Sequence, residues 1–190
     1  MQAMTTATPT SPATPSPMER VRRIATWVRL LAVAGGALLV GATLWFWSSP
    51  EWVTRTASVE LGLAAIALTP AAHAGAVAVA MLPVLVGLFA LWQVWLLFGS
   101  YARGEIFTAG TTARLRRLAW ALVGVAGAQI VARTALGLVL TMNNPPGQKA
   151  LVIGLSSHDY VLLLFGVLLL AIAWVMVEAT RLARENQEFV

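Results

Sequence analysis

Two long apolar runs in the sequence flank a short polar stretch that carries several arginines. The runs cover residues 77–99 and 119–142, and the polar stretch between them covers residues 101–118. An α-helix needs roughly 20 apolar residues to cross the hydrocarbon core of a bilayer, so each run is long enough to be a membrane span. The sequence therefore predicts an integral membrane protein organised around a hairpin of two spans.

The composition supports the same class. Of the 190 residues, 58% are hydrophobic and 11% are charged, whereas soluble domains are about 45–50% apolar and about 25% charged. The basic residues exceed the acidic ones by five, but they flank the apolar runs instead of covering one face. This pattern favours anchoring at the surface of membrane lipids over direct binding of nucleic acid. The chain has no cysteine, which excludes disulfides and thiolate metal sites.

Four spans account for the apolar runs. They are predicted at about residues 27–47, 77–99, 118–142 and 160–177, within a membrane domain of residues 19–190. Residues 1–18 are rich in Thr, Ser and Pro and are predicted to be a disordered tail. Residues 61–69 are apolar but too short to cross, and we expect a short interfacial or re-entrant helix there. The fold class is an all-α integral membrane protein with a four-helix transmembrane bundle.

Arginines set the expected orientation. Three clusters flank the predicted spans on one side of the membrane, and the positive-inside rule places that side in the cytoplasm. We therefore expect a multi-pass protein of the plasma (inner) membrane with both termini cytoplasmic. The cluster members are Arg20, Arg22, Arg23, Arg29, Arg103, Arg114, Arg116, Arg117, Arg181 and Arg184.

Polar residues inside the spans are the next candidates for function. Arg133 and Gln129 are one turn apart on the third span and share a face, and an arginine within a bilayer usually faces a bundle interior or a water-filled cavity. One interpretation is an anion or headgroup site at these two residues. The other is that Arg133 extends outward to pair with Asp159 or Glu60. Gln93, on the second span, is interpreted as a hydrogen bond between helices.

Two further structural expectations concern contacts between helices. Gly124, Ala128 and Ala132 form a stripe of small residues, which favours packing within one bundle, with a homo-oligomer contact as the alternative. Arg29 and Glu178 lie at similar depths on the first and fourth spans. We expect these two side chains to form an ion pair.

The sequence gives little support for catalysis. Its only histidines, His73 and His158, both fall in predicted outer loops, so we expect no metal site and no cofactor. Ser157, His158 and Asp159 are the residue types of a serine hydrolase, but adjacent residues seldom give the required geometry. The protein is predicted not to be an enzyme.

Two stretches resemble a known family. One is GEIFTAGTTARLRRLAWALVG, in which a glycine, a phenylalanine and Leu-Arg-Arg precede a span, and the other is the ending EATRLARENQEFV. Both are similar to the bacterial four-span membrane proteins of the domain-of-unknown-function family DUF2975, over roughly residues 20–190. The matching residues are Gly104, Phe107, Leu115, Arg116, Arg117, Glu185, Asn186, Phe189 and Val190. Many members carry Asn where this chain has Thr111 or Thr112.

The resemblance implies a plasma-membrane protein without an assigned reaction, sometimes encoded beside a small helix-turn-helix regulator. Our leading hypothesis is a non-enzymatic interaction or regulatory module whose inner loop and tail dock a cytosolic partner, such as that regulator. Its candidate docking residues are Gly104, Phe107, Arg114, Arg116, Arg117, Glu185, Asn186, Phe189 and Val190. The alternative is a membrane protein that binds a small solute or lipid through Arg133 and Gln129.

Overall fold

The computed structural model describes residues 17–60, 69–105, 108–144 and 154–188. Within these ranges the chain forms five α-helices and no β-strand. They are α1 (Pro17–Ser48), α2 (Pro50–Glu60), α3 (Pro70–Ala102), α4 (Ala109–Thr141) and α5 (Ser157–Glu188). Of these, α1, α3, α4 and α5 are long and apolar enough to cross a membrane. The prediction of an all-helical, multi-pass membrane protein is confirmed.

The helices are longer than the predicted spans. The 33 residues of α3 extend about 50 Å, against about 30 Å for the hydrocarbon core. Helix α1 begins at Pro17, ten residues before the predicted span, because the intervening Glu and Arg residues are good helix formers and proline suits the first position. The tail predicted to be disordered lies largely in residues 1–16, outside the described residues.

A short amphipathic helix, α2, follows α1 directly. Val53 and Ala57 are one turn apart and both buried, while Trp52 contacts Trp45 of α1 with ring centroids 5.9 Å apart. Ala57 packs in a cluster with residues of α3 and α4, namely Ala76 and Leu140. The re-entrant helix predicted at residues 61–69 falls almost entirely outside the described residues. Helix α2 ends at Glu60, before this range.

The four long helices lie in a row in the order α1, α3, α4, α5. Each contacts the next one along the chain, and α1 makes no contact with α5 within the described residues. The predicted ion pair between Arg29 and Glu178 is therefore wrong, because these residues lie on the two outermost helices. Glu178 pairs instead with Arg181, one turn later on α5. Within the described ranges, this row leaves one long face of α1 and one of α5 without a neighbouring helix.

Small residues allow the neighbouring helices to approach closely. Ala128 and Ala132 are buried, and a Cβ added to Gly124 would lie 3.4 Å from Val86 of α3. The predicted stripe thus packs within the chain. The tightest approach is at Gly166 of α5, where an added Cβ would lie 2.8 Å from Cγ2 of Val123 and 3.0 Å from its backbone nitrogen. Only glycine fits there without displacing α4.

Candidate functional site

Candidate residues lie at both ends of the row of helices. We call the end where α1 begins and α5 ends the termini side, and it also carries the α3–α4 turn, residues 103–108. The opposite end is the far side, where α2 lies and α5 begins. The predicted docking residues belong to the termini side, whereas Arg133 belongs to the far side.

The α3–α4 turn begins with a tight helix ending. The backbone N–H of Glu105 donates to the carbonyl of Ser100 at 3.1 Å, and that of Gly104 donates to the carbonyl of Tyr101 at 3.0 Å. This pair of bonds is the Schellman motif, which needs a left-handed residue after the helix. Gly104 supplies it with φ of +81°. The structure therefore gives this docking candidate a role in shaping the turn.

Helix α4 begins with a capping box. The Thr111 N–H donates to Oγ1 of Thr108 at 3.2 Å, and the Thr108 N–H donates to Oγ1 of Thr111 at 3.1 Å. These reciprocal bonds satisfy amide groups that the first turn of a helix leaves unpaired. Thr108 and Thr111 thus fix the start of α4 together. Phe107, another docking candidate, lies outside the described residues.

Arg114 points back toward α3. Its Nη1 donates to the carbonyl of Leu96 at 3.0 Å and to Oγ of Ser100, which is 1% exposed. Nη2 of Arg103 donates to the same hydroxyl oxygen at 3.1 Å. The hydroxyl oxygen of the buried Ser100 therefore accepts hydrogen bonds from two guanidinium groups and joins the end of α3 to the start of α4. No pattern in the sequence indicated this role for Ser100.

Arg103 also pairs with Glu105 across the turn. Its Nη2 lies 3.0 Å from Oε2 of Glu105, and both side chains are about half exposed. The hydrogen bonds from Arg103 lower the pKa of the Glu105 carboxyl, with smaller contributions from Ser100 and Arg114. The same pair raises the pKa of Arg103. The turn is thus held by short polar contacts within itself.

Among the remaining docking candidates, the structure describes the side chains of Arg116 and Arg117. Arg116 and Arg117 are exposed near the start of α4 and form no ion pair with the other described residues. The backbone at Glu185 and Asn186 continues α5, but their side chains lie outside the described part of the chain, as do Phe189 and Val190. The two arginines are therefore the docking candidates with a defined, accessible position.

Arg29 occupies an unexpected place on the termini side. Its guanidinium carbon lies 4.2 Å from the ring centroid of Trp95 on α3, a cation–π contact. Its Nε is buried and has no hydrogen-bond partner among the described residues. The guanidinium groups of Arg29 and Arg103 both come within 3.9 Å of where a Cβ of Gly99 would be. The guanidinium groups of Arg29 and Arg103 therefore both lie close to Gly99, which has no side chain.

On the far side, Arg133 ties α4 to the segment before α5. Its Nη1 donates to Oδ2 of Asp159 at 2.8 Å and to the carbonyl of Gly154 at 3.1 Å, and its Nη2 donates to Oγ of Ser156 at 3.4 Å. The Asp159 side chain is fully buried, and that of Arg133 is 24% exposed. Asp159 is one of the two carboxylates that the sequence suggested as partners for this arginine.

Asp159 has a second function at the start of α5. Its Oδ2 accepts from the Ser156 N–H at 2.9 Å, and its own N–H donates to Oγ of Ser156 at 3.2 Å. This is another capping box, and its Ser-x-x-Asp pattern is visible in the sequence. The geometry thus assigns Asp159 to holding both the helix end and the arginine, and the sequence had suggested only the second of these roles.

A cavity of about 250 Å³ lies beside Arg133. Its polar lining comes from Arg133, Gln129 and Thr56, and apolar side chains of α1 to α4, including Phe46 and Pro83, complete the wall. Gln93 does not line this cavity. It is 3% exposed, and its Oε1 has no hydrogen-bond partner within the described ranges, so the predicted bond between helices through this oxygen is not formed there.

The described residues contain no group of three or more His, Asp or Glu side chains able to hold a metal ion. His73 of α3 packs against the ring of Trp47, with centroids 5.6 Å apart. His158 is exposed at the first turn of α5. The two histidines thus belong to separate environments.

No curated protein and no solved structure matches the chain. Residues 68–190 match the family model described as "Protein of unknown function (DUF2975)". The match covers α3, α4 and α5 and begins after α1 and α2, whereas the resemblance seen in the sequence was expected to start near residue 20. The chain belongs to the DUF2975 family.

Proposed function

We propose that this chain is a non-enzymatic interaction or regulatory module of the plasma (inner) membrane, whose termini side lies in the cytoplasm and docks a cytosolic protein. The supporting observation is the pair of exposed arginines, Arg116 and Arg117, on a helix start that is fixed by its own contacts. A partner with an acidic surface fits this chemistry. A helix-turn-helix regulator is the candidate that the family resemblance suggests.

The rigidity of the turn favours this function. The capping box at Thr108 and the bonds from Arg114 to α3 hold the start of α4 before any partner arrives. A surface that is already ordered loses less conformational entropy on binding, and arginine is enriched among residues that dominate interface energies. Arg116 and Arg117 therefore combine accessibility with a fixed backbone.

Charge reversal at the two arginines tests the proposal. The tagged full chain is purified from native membranes as wild type and as R116E R117E, and the co-purified proteins are compared. We expect a specific partner to be lost from the variant and to be released from wild type by high salt, because exposed charge pairs are screened. The control R20E R22E changes the same charge on the same side. An unchanged partner set in R116E R117E would contradict the proposal.

Removal of the last five residues is a second arm of this experiment. The docking hypothesis includes Asn186, Phe189 and Val190, so we expect the truncated chain to retain less of the same partner. Loss in the arginine variant with full retention in the truncated chain would restrict the docking surface to α4. Retention in both would place the contact elsewhere on the protein.

A second candidate function rests on the far-side cavity. The cavity beside Arg133 and Gln129 has a volume of about 250 Å³, which is large enough for several water molecules or a small polar solute. Arg133 already has a carboxylate partner, so Gln129 is the polar group better placed to recognise a ligand. A Q129L variant that loses binding of a small anion or zwitterion, measured by calorimetry in detergent, would support this candidate.

A further inference from the structure

An apolar groove runs between α1 and α3. The α1 wall consists of small residues such as Gly36 and Gly41 together with Val40, and the α3 wall includes Leu88, Trp92 and Trp95. Its volume is about 820 Å³, within the range of roughly 300–1,000 Å³ for ligand pockets. A Cβ placed on Gly41 would meet no atom within 4 Å. The groove is therefore open toward this part of α1.

Arginines stand at one end of this groove. Trp95 lines it, and the guanidinium of Arg29 lies over the ring of that tryptophan. Arg103 approaches the same spot at Gly99. In the described part of the chain, Glu105 is the carboxylate that pairs with Arg103, while no ion pair involves Arg29. The mouth of the groove thus has an excess of positive charge and a buried Nε that lacks an acceptor.

An apolar groove that ends at two cations is complementary in charge and polarity to one kind of bilayer molecule. A phospholipid with an anionic headgroup has an acyl chain for the groove and phosphate oxygens for the guanidinium groups, which bind phosphate well. Basic pockets between membrane helices are known headgroup sites. Trp95 lies against Arg29, and tryptophans mark the headgroup level of a bilayer. The charge and the apolar surface are therefore at the depths that a lipid requires.

We propose that the α1–α3 groove binds an anionic phospholipid from the leaflet on the termini side, with one acyl chain along Gly36 and Gly41 and the phosphate at Arg29 and Arg103. A second copy of α1 is the competing occupant, because its small residues suit close helix packing. A symmetric contact between two copies of α1 would bring their Arg29 side chains together without adding a carboxylate to neutralise them. The lipid supplies the missing negative charge.

Native mass spectrometry of the full chain tests the proposal. The protein is released from micelles that contain equal amounts of phosphatidylglycerol and phosphatidylcholine with identical acyl chains, and the retained lipid is counted. We expect wild type to retain phosphatidylglycerol preferentially. The variant R29Q R103Q should reduce that preference by about ten-fold or more, since it removes the two guanidinium groups proposed to bind the phosphate oxygens. The control R20Q R22Q removes equal charge from exposed positions on α1 and should keep the preference.

A second variant tests the apolar part of the site without changing charge. G41L places a side chain in open space within the groove, so the fold should be kept, and we expect both lipids to be retained less. Circular dichroism confirms the helical content of each variant. The proposal is overturned if R29Q R103Q retains the wild-type preference, or if R20Q R22Q loses it equally. It is also overturned if wild type appears as a lipid-free dimer that G41L dissociates.

Discussion

The α4–α5 pair and the α1–α3 pair use similar residues with different outcomes. Each combines an arginine with glycines at a helix contact. Between α4 and α5, Arg133 meets the buried Asp159, and Gly166 lies against the backbone of α4. Between α1 and α3, Arg29 has an aromatic ring in place of a carboxylate, and Gly41 faces open space. The first contact is completed by the protein, and the second is left for a non-protein partner.

The largest expected effect concerns the buried carboxylate of the α4–α5 pair. D159N keeps a side chain that can cap α5 but leaves Arg133 without its counter-ion. Removing one partner of a buried ion pair costs about 3–5 kcal/mol, so we expect a large drop in the midpoint of thermal unfolding in detergent.

The double variant R133M D159N is the matched control for this prediction. It removes the uncompensated charge as well, and replacing both members of a buried pair is often close to neutral. We therefore expect it to be clearly more stable than D159N alone. If D159N unfolds at the wild-type temperature, the ion pair does not close the α4–α5 contact.

The next effect concerns the glycine at the same contact. In G166A the added Cβ would lie 2.8 Å from Val123 and 3.0 Å from its backbone nitrogen, so α4 and α5 must separate. Overpacking of this kind costs about 1–3 kcal/mol. The drop in unfolding temperature should be reversed in part by V123A, which removes the nearest side-chain atom. A fully stable G166A would show that the two helices are further apart than described.

The corresponding substitution in the α1–α3 groove has the opposite expected sign. G41A adds a Cβ that meets no atom within 4 Å, and alanine is favoured over glycine inside a helix by up to about 1 kcal/mol. Its unfolding temperature should equal or exceed that of wild type in lipid-free detergent. Destabilisation by G41A would indicate that a neighbouring segment fills the groove and would remove the difference between the two pairs.

The smallest effect concerns the exposed pair of Arg103 and Glu105. Arg103 holds the pKa of the Glu105 carboxyl below its ordinary value. Such a group stabilises the fold above its unfolded pKa, about 4.3, and the contribution is lost as pH falls through the lower folded pKa. The small difference in unfolding temperature between wild type and E105Q should therefore be present at pH 7 and vanish in acid. A difference that grows on acidification would contradict the pairing.

The sequence predicted the number and type of spans because apolar length alone determines which helices can cross a bilayer. It also suggested Asp159 as a partner for Arg133. The helices extend beyond the predicted spans, since hydropathy does not detect polar turns such as residues 17–26 at the start of α1. The Ser-x-x-Asp pattern of the capping box at Ser156 and Asp159 was visible, but Asp159 was considered only as a partner of Arg133 and as part of a catalytic group.

Other features depend on the order of helices in space, which one sequence does not contain. The expected partner of Arg29 was Glu178 because both lie at similar depth. The observed partner is Trp95, because α1 lies beside α3 and away from α5. Gly166 was missed for the same reason: nothing in the sequence of α5 shows which of its small residues faces α4. The position of a residue along its helix could be predicted from the sequence, but the helix that it packs against could not.

The most direct test of the account is the side of the membrane that each end occupies. The chain has no cysteine, so S58C on α2 and A109C at the start of α4 each introduce a unique thiol at an exposed position. A membrane-impermeant maleimide is added to intact and to permeabilised cells. We predict that S58C is labelled in intact cells and that A109C is labelled only after permeabilisation. Labelling of A109C in intact cells, with S58C protected, would contradict a cytoplasmic termini side and the docking function proposed for it.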